Sequence, residues 1–367
     1  MKILVLPNAF KGSLSALKAA QILTRSLQKK HTVRAFPIAD GGDGFIDFFR
    51  TLDPQASCIS LTANNAFCQK KRTSFLLLSD GKTAVVETAC VCGLGTAKKE
   101  ELDVLHATSY GVGEVILKAV SRGAKTIYVG LGGVACNDGG AGMAIACGAK
   151  ILDKSGRKIA LGAQPLLHAH KVDLHLLKKN LKDVKIYGVA DVTNPLLGPK
   201  SSAKVFGPQK GATAEQVKML DKALAVWARV MAKATGKNAA HTPSTAAAGA
   251  IAAGLYGCLN AKLILGADFL FKKAGLEKQA KWADLLVTSE GKLDAQTFYG
   301  KAPLAVLKLA RKYKKPTLFI CGQVDEKALC RQPYCPEQIA VLADFAPTAD
   351  EAQRDAAKYL RRLAKSL

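Results

Sequence analysis

Lys2-Ile3-Leu4-Val5-Leu6-Pro7-Asn8-Ala9-Phe10-Lys11-Gly12-Ser13 opens the chain. Its first half is a short apolar run of the kind that forms a strand buried on both faces. Pro7 ends that run, and a polar loop leads into Leu14–Lys29, where apolar residues recur at helical spacing behind Ser13, a predicted N-cap. A second strand is predicted over 32–38 and a short helix over 44–52. Two successive βα units predict a parallel sheet. The same rhythm returns late in the chain, with strand 285–288, helix 303–313, strands 317–321 and 339–342, and helix 349–363.

Between these ends the pattern changes. Predicted strands 56–61, 72–78 and 83–88 are separated by Asn64-Asn65 and Asp80-Gly81, turn formers that suit an antiparallel meander. Helix 111–122, strand 126–131, helix 141–148, strand 185–189 and a long helix 214–235 follow. The Ala- and Gly-rich stretch Thr245–Leu259 is predicted to be a buried helix, since a membrane span needs roughly 20 strongly apolar residues. The expected fold class is therefore α/β. A doubly wound parallel-sheet domain is built from residues 1–60 and 282–367, and a mixed α/β domain, residues 61–281, is inserted in it.

With 367 residues, 49% of them hydrophobic, the chain can bury substantial cores, and its length suits about two domains. The formal charge of +24 raises nucleic acid as a partner. The lysines and arginines are dispersed, however, and only 6% of residues are aromatic, so a solvated basic surface is expected and no nucleic-acid partner. Ile3–Leu6 is too short for a signal-peptide core, which points to a cytoplasmic protein with no membrane partner. Ten cysteines form no repeated CxxC pattern and read as free thiols. His168 and His170 have no third metal ligand at a helpful spacing.

Five segments combine Gly, Asp, Asn and Lys just after predicted strands, where ligands of open α/β sheets sit. The first, Pro7–Ser13, places Lys11 and a helix N-terminus together, a pairing that favours anions. The second, Ala39-Asp40-Gly41-Gly42-Asp43-Gly44, suits a polyhydroxyl or a Mg²⁺ shell. In the third, Gly130-Leu131-Gly132-Gly133 runs to Asn137-Asp138-Gly139-Gly140; the glycines permit close backbone approach to an anion, and Asn137 and Asp138 offer polar contacts. The fourth is Asp191 to Gly198, with Asn194 inside it, continued by Phe206-Gly207-Pro208-Gln209-Lys210-Gly211. The fifth is Glu290-Gly291-Lys292-Leu293-Asp294, with Gly300-Lys301-Ala302-Pro303 behind it. The last two supply the carboxylates and cations that phosphoryl transfer uses. Neither Lys11 nor Lys301 stands in a Walker A motif.

At these loops the sequence resembles the bacterial glycerate kinase family, built from a flavodoxin-like and a restriction-endonuclease-like domain. The matching motifs are Phe10 to Ser13, Ala39 to Gly42, Tyr110 to Glu114, Gly130 to Gly142, Asp191 to Gly198, Phe206 to Ala212, Glu290 to Asp294 and Gly300 to Pro303. The resemblance implies ATP- and Mg²⁺-dependent phosphorylation of D-glycerate, commonly at the 2-position, by a chain that can be a homodimer. On that reading Asp191, then Asp294, is the carboxylate that orients the substrate hydroxyl or holds Mg²⁺. Lys11, Lys210 and Lys301 face phosphate or carboxylate. Ser13, Asp40, Gly41, Gly132, Gly133, Asn137, Asp138, Gly139, Asn194 and Glu290 line the substrate or ATP site. The chain departs from the family pattern at Asn8 (for Asp), at Val134 and Cys136 (for Ser and Thr), and at Leu102–Val104. Ser244, Ala246, Ala250, Ala252 and Ser289 stand where the family has glycine. These departures keep two other readings open, a kinase for another small hydroxy acid and a ligand-binding homologue without turnover.

Overall fold

The computed structural model describes residues 1–10, 12–39, 41–96, 100, 102–298, 302–325 and 332–367; Lys11, Asp40 and Lys301 lie outside these. The described residues contain, in chain order, strands β1 Lys2–Pro7, β2 Thr32–Ala35, β3 Ser57–Asn64, β4 Lys70–Leu77, β5 Thr83–Glu87, β6 Thr126–Gly130, β7 Lys150–Leu152, β8 Lys171–Asp173, β9 Lys185–Ala190, β10 Lys262–Leu265, β11 Leu285–Leu293, β12 Thr317–Val324 and β13 Gln338–Val341. The contacts divide the chain into two units. One comprises Met1–Asp40, Asp47–Leu52 and Gly266–Leu367, the other Gly41–Ile46 and Asp53–Leu265.

The first unit holds a sheet in the order β2-β1-β11-β12-β13 with every pair parallel. Counted within the unit this is 2-1-3-4-5, the doubly wound, flavodoxin-like order. Strand alternation in β1 explains the two covering layers. Ile3 and Val5 enter one core with residues of the helices Ala16–Leu27 and Ala356–Ser366. Leu4 and Leu6 enter another with the helices Leu276–Trp282 and Ala302–Lys312. Each of these buried aliphatic side chains contributes about 1.5–3 kcal/mol. The helix after β1 starts later than predicted. Its N-cap is Ser15, whose hydroxyl accepts Lys18 N–H at 3.2 Å, while the Ser13 hydroxyl donates to the Gln353 carbonyl. Glu290–Leu293, expected as loop, belongs to a strand. β11 pairs with β12 as far as Lys292↔Gln323 and Leu293↔Val324, and that pairing overrides the turn-forming character of Gly291 and Lys292.

The second unit holds a mixed sheet, β10-β9-β6-β5-β4-β3, parallel from β10 to β5 and antiparallel through β4 and β3, with β7 and β8 as a separate pair. The meander turns as expected. Asn65 Oδ1 accepts the N–H groups of Phe67 and Gln69, and Asp80 Oδ1 those of Lys82 and Thr83. β3 pairs with β4 along its whole length, so it stays with this unit, and the division falls at 52/53 where a boundary at 60/61 was expected. The helix Ala214–Thr235 is as predicted. Thr213 and Gln216 close a capping box at its start, Gly236 ends it at φ 71°, and Trp227 is its fully buried anchor.

Thr245–Leu259 differs from its expectation. Only Ile251–Gly257 is α-helical; before it, Ser244, Ala248, Gly249 and Ala250 have φ of 69°, 52°, 59° and 62°. Left-handed residues cannot continue a right-handed helix, and each non-glycine one costs about 1–2 kcal/mol.

Candidate functional site

In the second unit the glycine-rich segments converge at the C-terminal ends of β5, β6 and β9. Gly41 lies so close to β9 that a β-carbon there would stand 2.5 Å from the Val189 carbonyl oxygen. A β-carbon on Gly132 would stand 2.6 Å from Gly42 Cα, and one on Gly130 2.6 Å from the Gly41 oxygen. The two loops therefore touch backbone to backbone, and only glycine permits it. Gly133, at φ 63°, is the exposed tip beside Asp43.

The last residue of β5 and the one after it hold these loops. Glu87, 6% exposed, accepts the N–H groups of Gly44 at 3.2 Å and Ile46 at 2.9 Å. Thr88 Oγ1 lies 2.8 Å from the Gly130 oxygen and 3.1 Å from the Gly132 oxygen, and 3.3 Å from Gly132 N. Burial pushes the Glu87 carboxyl above the ordinary range, the two N–H groups pull it back, and the nearby Asp43 raises it again.

Asp138 is fully buried, and its carboxylate accepts five hydrogen bonds. Oδ2 receives Thr108 Oγ1 (3.1 Å), Ser109 N (2.8 Å), Ser109 Oγ (2.9 Å) and Gly142 N (3.1 Å), and Oδ1 receives Gly140 N (3.1 Å). These bonds make it the internal fastening of its loop. Asn137 is equally buried; its Oδ1 accepts Ser202 Oγ at 2.9 Å, and its Nδ2 meets no hydrogen-bond acceptor among the described residues. Trp227 Nε1 donates to the Gly139 oxygen at 3.0 Å, and its ring closes the space beside that glycine. Lys210 is only 3% exposed, and its Nζ donates to the Cys136 oxygen at 2.6 Å. Burial lowers its ammonium pKa. The Cys136 thiol, hydrogen-bonded to that of Cys92 and buried, titrates well above the ordinary cysteine range.

The segment Ser244–Ala250 braces the fourth loop and the third at once. Ala246 N donates to the Asn194 oxygen (3.1 Å), Leu196 N to Thr245 Oγ1 (2.9 Å), Ser202 Oγ to the Ala246 oxygen (3.1 Å) and Gly139 N to the Gly249 oxygen (3.3 Å). The Asn194 side chain donates to the Lys200 oxygen at 3.0 Å. Asp191, half-buried, follows β9 directly. The structure thus gathers Gly41, Gly132, Gly133, Asn137, Asp138, Gly139, Asn194 and Lys210 into one network within this unit, with Asp191 at the end of a strand of the same sheet.

In the first unit the topological switch point lies between β1 and β11, and the crevice outside their C-terminal ends is where such sheets bind ligands. Asn8 and Ser289 meet there. Asn8 N donates to the Ser289 oxygen at 3.1 Å, and Ser289 Oγ to the Asn8 oxygen at 3.0 Å. Glu290, 8% exposed, accepts Thr297 Oγ1 at 2.8 Å, and Asp294, half-buried, follows β11.

Sequence reasoning passed over Glu87 and Thr88. A carboxylate directly after the fully buried run Ala84-Val85-Val86 was the available signal, since a charge so placed must be paired or hydrogen-bonded.

The sequence model of the glycerate kinase family matches residues 3–367. The chain is 35% identical to the glycerate kinase of Bacillus subtilis (strain 168) over 370 residues, covering all of this chain and 97% of that one. It is 35% identical to the glycerate 2-kinase of Escherichia coli (strain K12) over 371 residues, with the same coverage. A crystal structure from Salmonella typhimurium LT2, described as a glycerate kinase 2, superposes with a TM-score of 0.82 at 31% identity, covering all of this chain and 96% of that chain.

Proposed function

The chain belongs to the glycerate kinase family, and on that premise we propose that it transfers the γ-phosphoryl group of ATP to a hydroxyl of D-glycerate, giving 2-phosphoglycerate and ADP. The observation that carries this reading is the full-length match to two glycerate kinases at 35% identity, each covered to 97% of its own length. The geometry supports it from two sides. In the second unit the glycine segments 41–44 and 130–133 pack together at the C-terminal ends of β5, β6 and β9, and in the first unit β1 and β11 end at a switch point. Backbone N–H groups in such places suit the oxygens of phosphate or carboxylate.

Asp191 and Asp294 are the acids assigned to the chemistry. One would take or orient the hydroxyl proton, and either would hold Mg²⁺. No group of three His, Cys, Asp or Glu side chains is gathered among the described residues. Asp191 or Asp294 would hold Mg²⁺ together with the nucleotide, since this ion is commonly bound through one or two carboxylates. When bound it supplies charge neutralisation of the transferring phosphoryl group. Asp138, bonded to Ser109 and Gly142, and Lys210, bonded across to the Cys136 oxygen, are enclosed and would shape the site by fixing backbone positions.

A coupled ADP-release assay with ATP, Mg²⁺ and D-glycerate tests the reading, with a panel of other hydroxy acids alongside. Turnover of D-glycerate above the panel supports it. ATP- or glycerate-dependent thermal stabilisation without turnover of any substrate would replace it with a binding function.

A further inference from the structure

We infer that Glu87 and Thr88 are positioning residues that lock two separate backbone loops into one ligand-binding surface, an assignment that rests on the kinase reading for its ligand. The observation is that two adjacent side chains at the end of β5 divide the task. Glu87 accepts two N–H groups of the 41–46 segment, and the Thr88 hydroxyl faces the Gly130 and Gly132 carbonyls and accepts the Gly132 N–H. Between them the loops meet where Gly132 lies against Gly42, with no side chain interposed. Backbone contacts of this kind carry no lock of their own, because glycine is the residue with the most conformational freedom. The register of one loop on the other is therefore set by the two side chains behind them.

The chemistry of each side chain fits that part. A carboxylate can accept two N–H groups at once and does so most strongly when ionised. A threonine hydroxyl is both donor and acceptor, so it can satisfy a carbonyl and an N–H of one loop. Burial opposes ionisation of Glu87, and the groups that act on its carboxyl are the Gly44 and Ile46 N–H groups, Asp43 and Cys90. Burying an acid costs stability unless its oxygens are bonded, and here both Glu87 oxygens accept N–H groups of the 41–46 segment.

The test uses the full chain with three substitutions: Glu87→Gln, Thr88→Val and Thr88→Ser. Steady-state kinetics with D-glycerate and ATP give kcat and each KM, and hydrogen–deuterium exchange reads the 41–46 and 130–133 segments. Displacement of a binding surface by about 1 Å costs on the order of 100-fold, so kcat/KM is expected to fall 10- to 100-fold in E87Q and in T88V. The same substrate's KM should move in both, and T88S should recover most of the loss. Exchange should rise in both segments whichever residue is changed. Should exchange stay confined to the segment bonded to the altered residue, or should E87Q and T88V move different substrates' KM values or neither, the inference is overturned. If the wild-type protein turns over no D-glycerate, the kinase reading fails, and the exchange data alone decide whether the two loops are coupled.

Discussion

Two neighbouring loops of the second unit solve the same backbone problem with different residues. The segment Gly130–Gly142 uses glycine at each of its left-handed positions, Gly133, Gly139 and Gly140. The segment Ser244–Ala250 has four left-handed positions and fills three of them with Ser244, Ala248 and Ala250. At Gly139 a β-carbon would stand 2.6 Å from Trp227, and at Gly140 2.9 Å from Gly254, so there the glycines serve space as well as conformation. In the second segment the β-carbons are accommodated, and the cost is conformational alone. Gly249 is the exception, since a β-carbon there would stand 1.9 Å from the Cys136 oxygen and 2.7 Å from Lys210 Nζ. Close packing and left-handed geometry are thus separate reasons for glycine, and substitution can separate them.

The largest effect is expected at Gly249→Ala, where both reasons coincide. Overpacking against a fixed carbonyl and the left-handed penalty together cost about 2–5 kcal/mol, and thermal melts should show a loss of roughly 5–15 °C or no folded protein. A substitution tolerated with an unchanged melting temperature would break the distinction. Next is Asp138→Asn, which places an amide NH₂ among donors that now converge on a carboxylate. Buried donors left facing that amide cost about 1–3 kcal/mol, and the same melts read it. By contrast, Asp191→Asn should leave the melting temperature within about 2 °C and lower kcat by roughly 100- to 10,000-fold, as expected of an acid that serves chemistry.

A pH series isolates the part of Glu87 in holding the loops. The Glu87 carboxyl titrates above the ordinary glutamate value of 4.5, so the folded chain holds this proton over a range where the unfolded chain has lost it. Its contribution to stability is complete below 4.5 and is lost as pH rises through the raised value. E87Q lacks that dependence. The melting temperature of the wild type relative to E87Q should therefore fall as pH rises, and a difference independent of pH would contradict this. The smallest effects lie in the alanine loop. Ala250→Gly removes about 1–2 kcal/mol of left-handed strain and adds about 0.4–1 kcal/mol of unfolded-chain entropy, a net gain of about 0–1.6 kcal/mol. Ala246→Gly, at a position without positive φ, should instead lose about 0.4–1 kcal/mol. Opposite signs at 250 and 246 in chemical denaturation would establish the point.

Much of the architecture is legible in local pattern. β1 and the helix Ala214–Thr235 coincide with their predicted spans, because an apolar run closed by Pro7 and a periodic stretch closed by Gly236 are self-contained signals. The features that escaped are set by partners distant in sequence. β11 continues through Glu290–Leu293 because β12 is there to pair with it. Ala248 and Ala250 are strong helix formers in isolation and left-handed here, where the segment braces Asn194, Leu196, Ser202 and Gly139. The glycine loops were recognisable as a set, but their division of labour was not. Asp138 looks like a ligand-facing acid until its five internal bonds are counted. Glu87 looks like the polar end of a strand until its two amide partners are seen.

The most direct test of the central claim is ³¹P NMR of the reaction mixture after incubating the purified protein with ATP, Mg²⁺ and D-glycerate. The account predicts stoichiometric loss of the ATP γ-phosphorus signal, the appearance of ADP, and a single phosphomonoester resonance coupled to the C2 proton of glycerate. An unchanged ATP spectrum would contradict it, as would ADP accompanied only by inorganic phosphate.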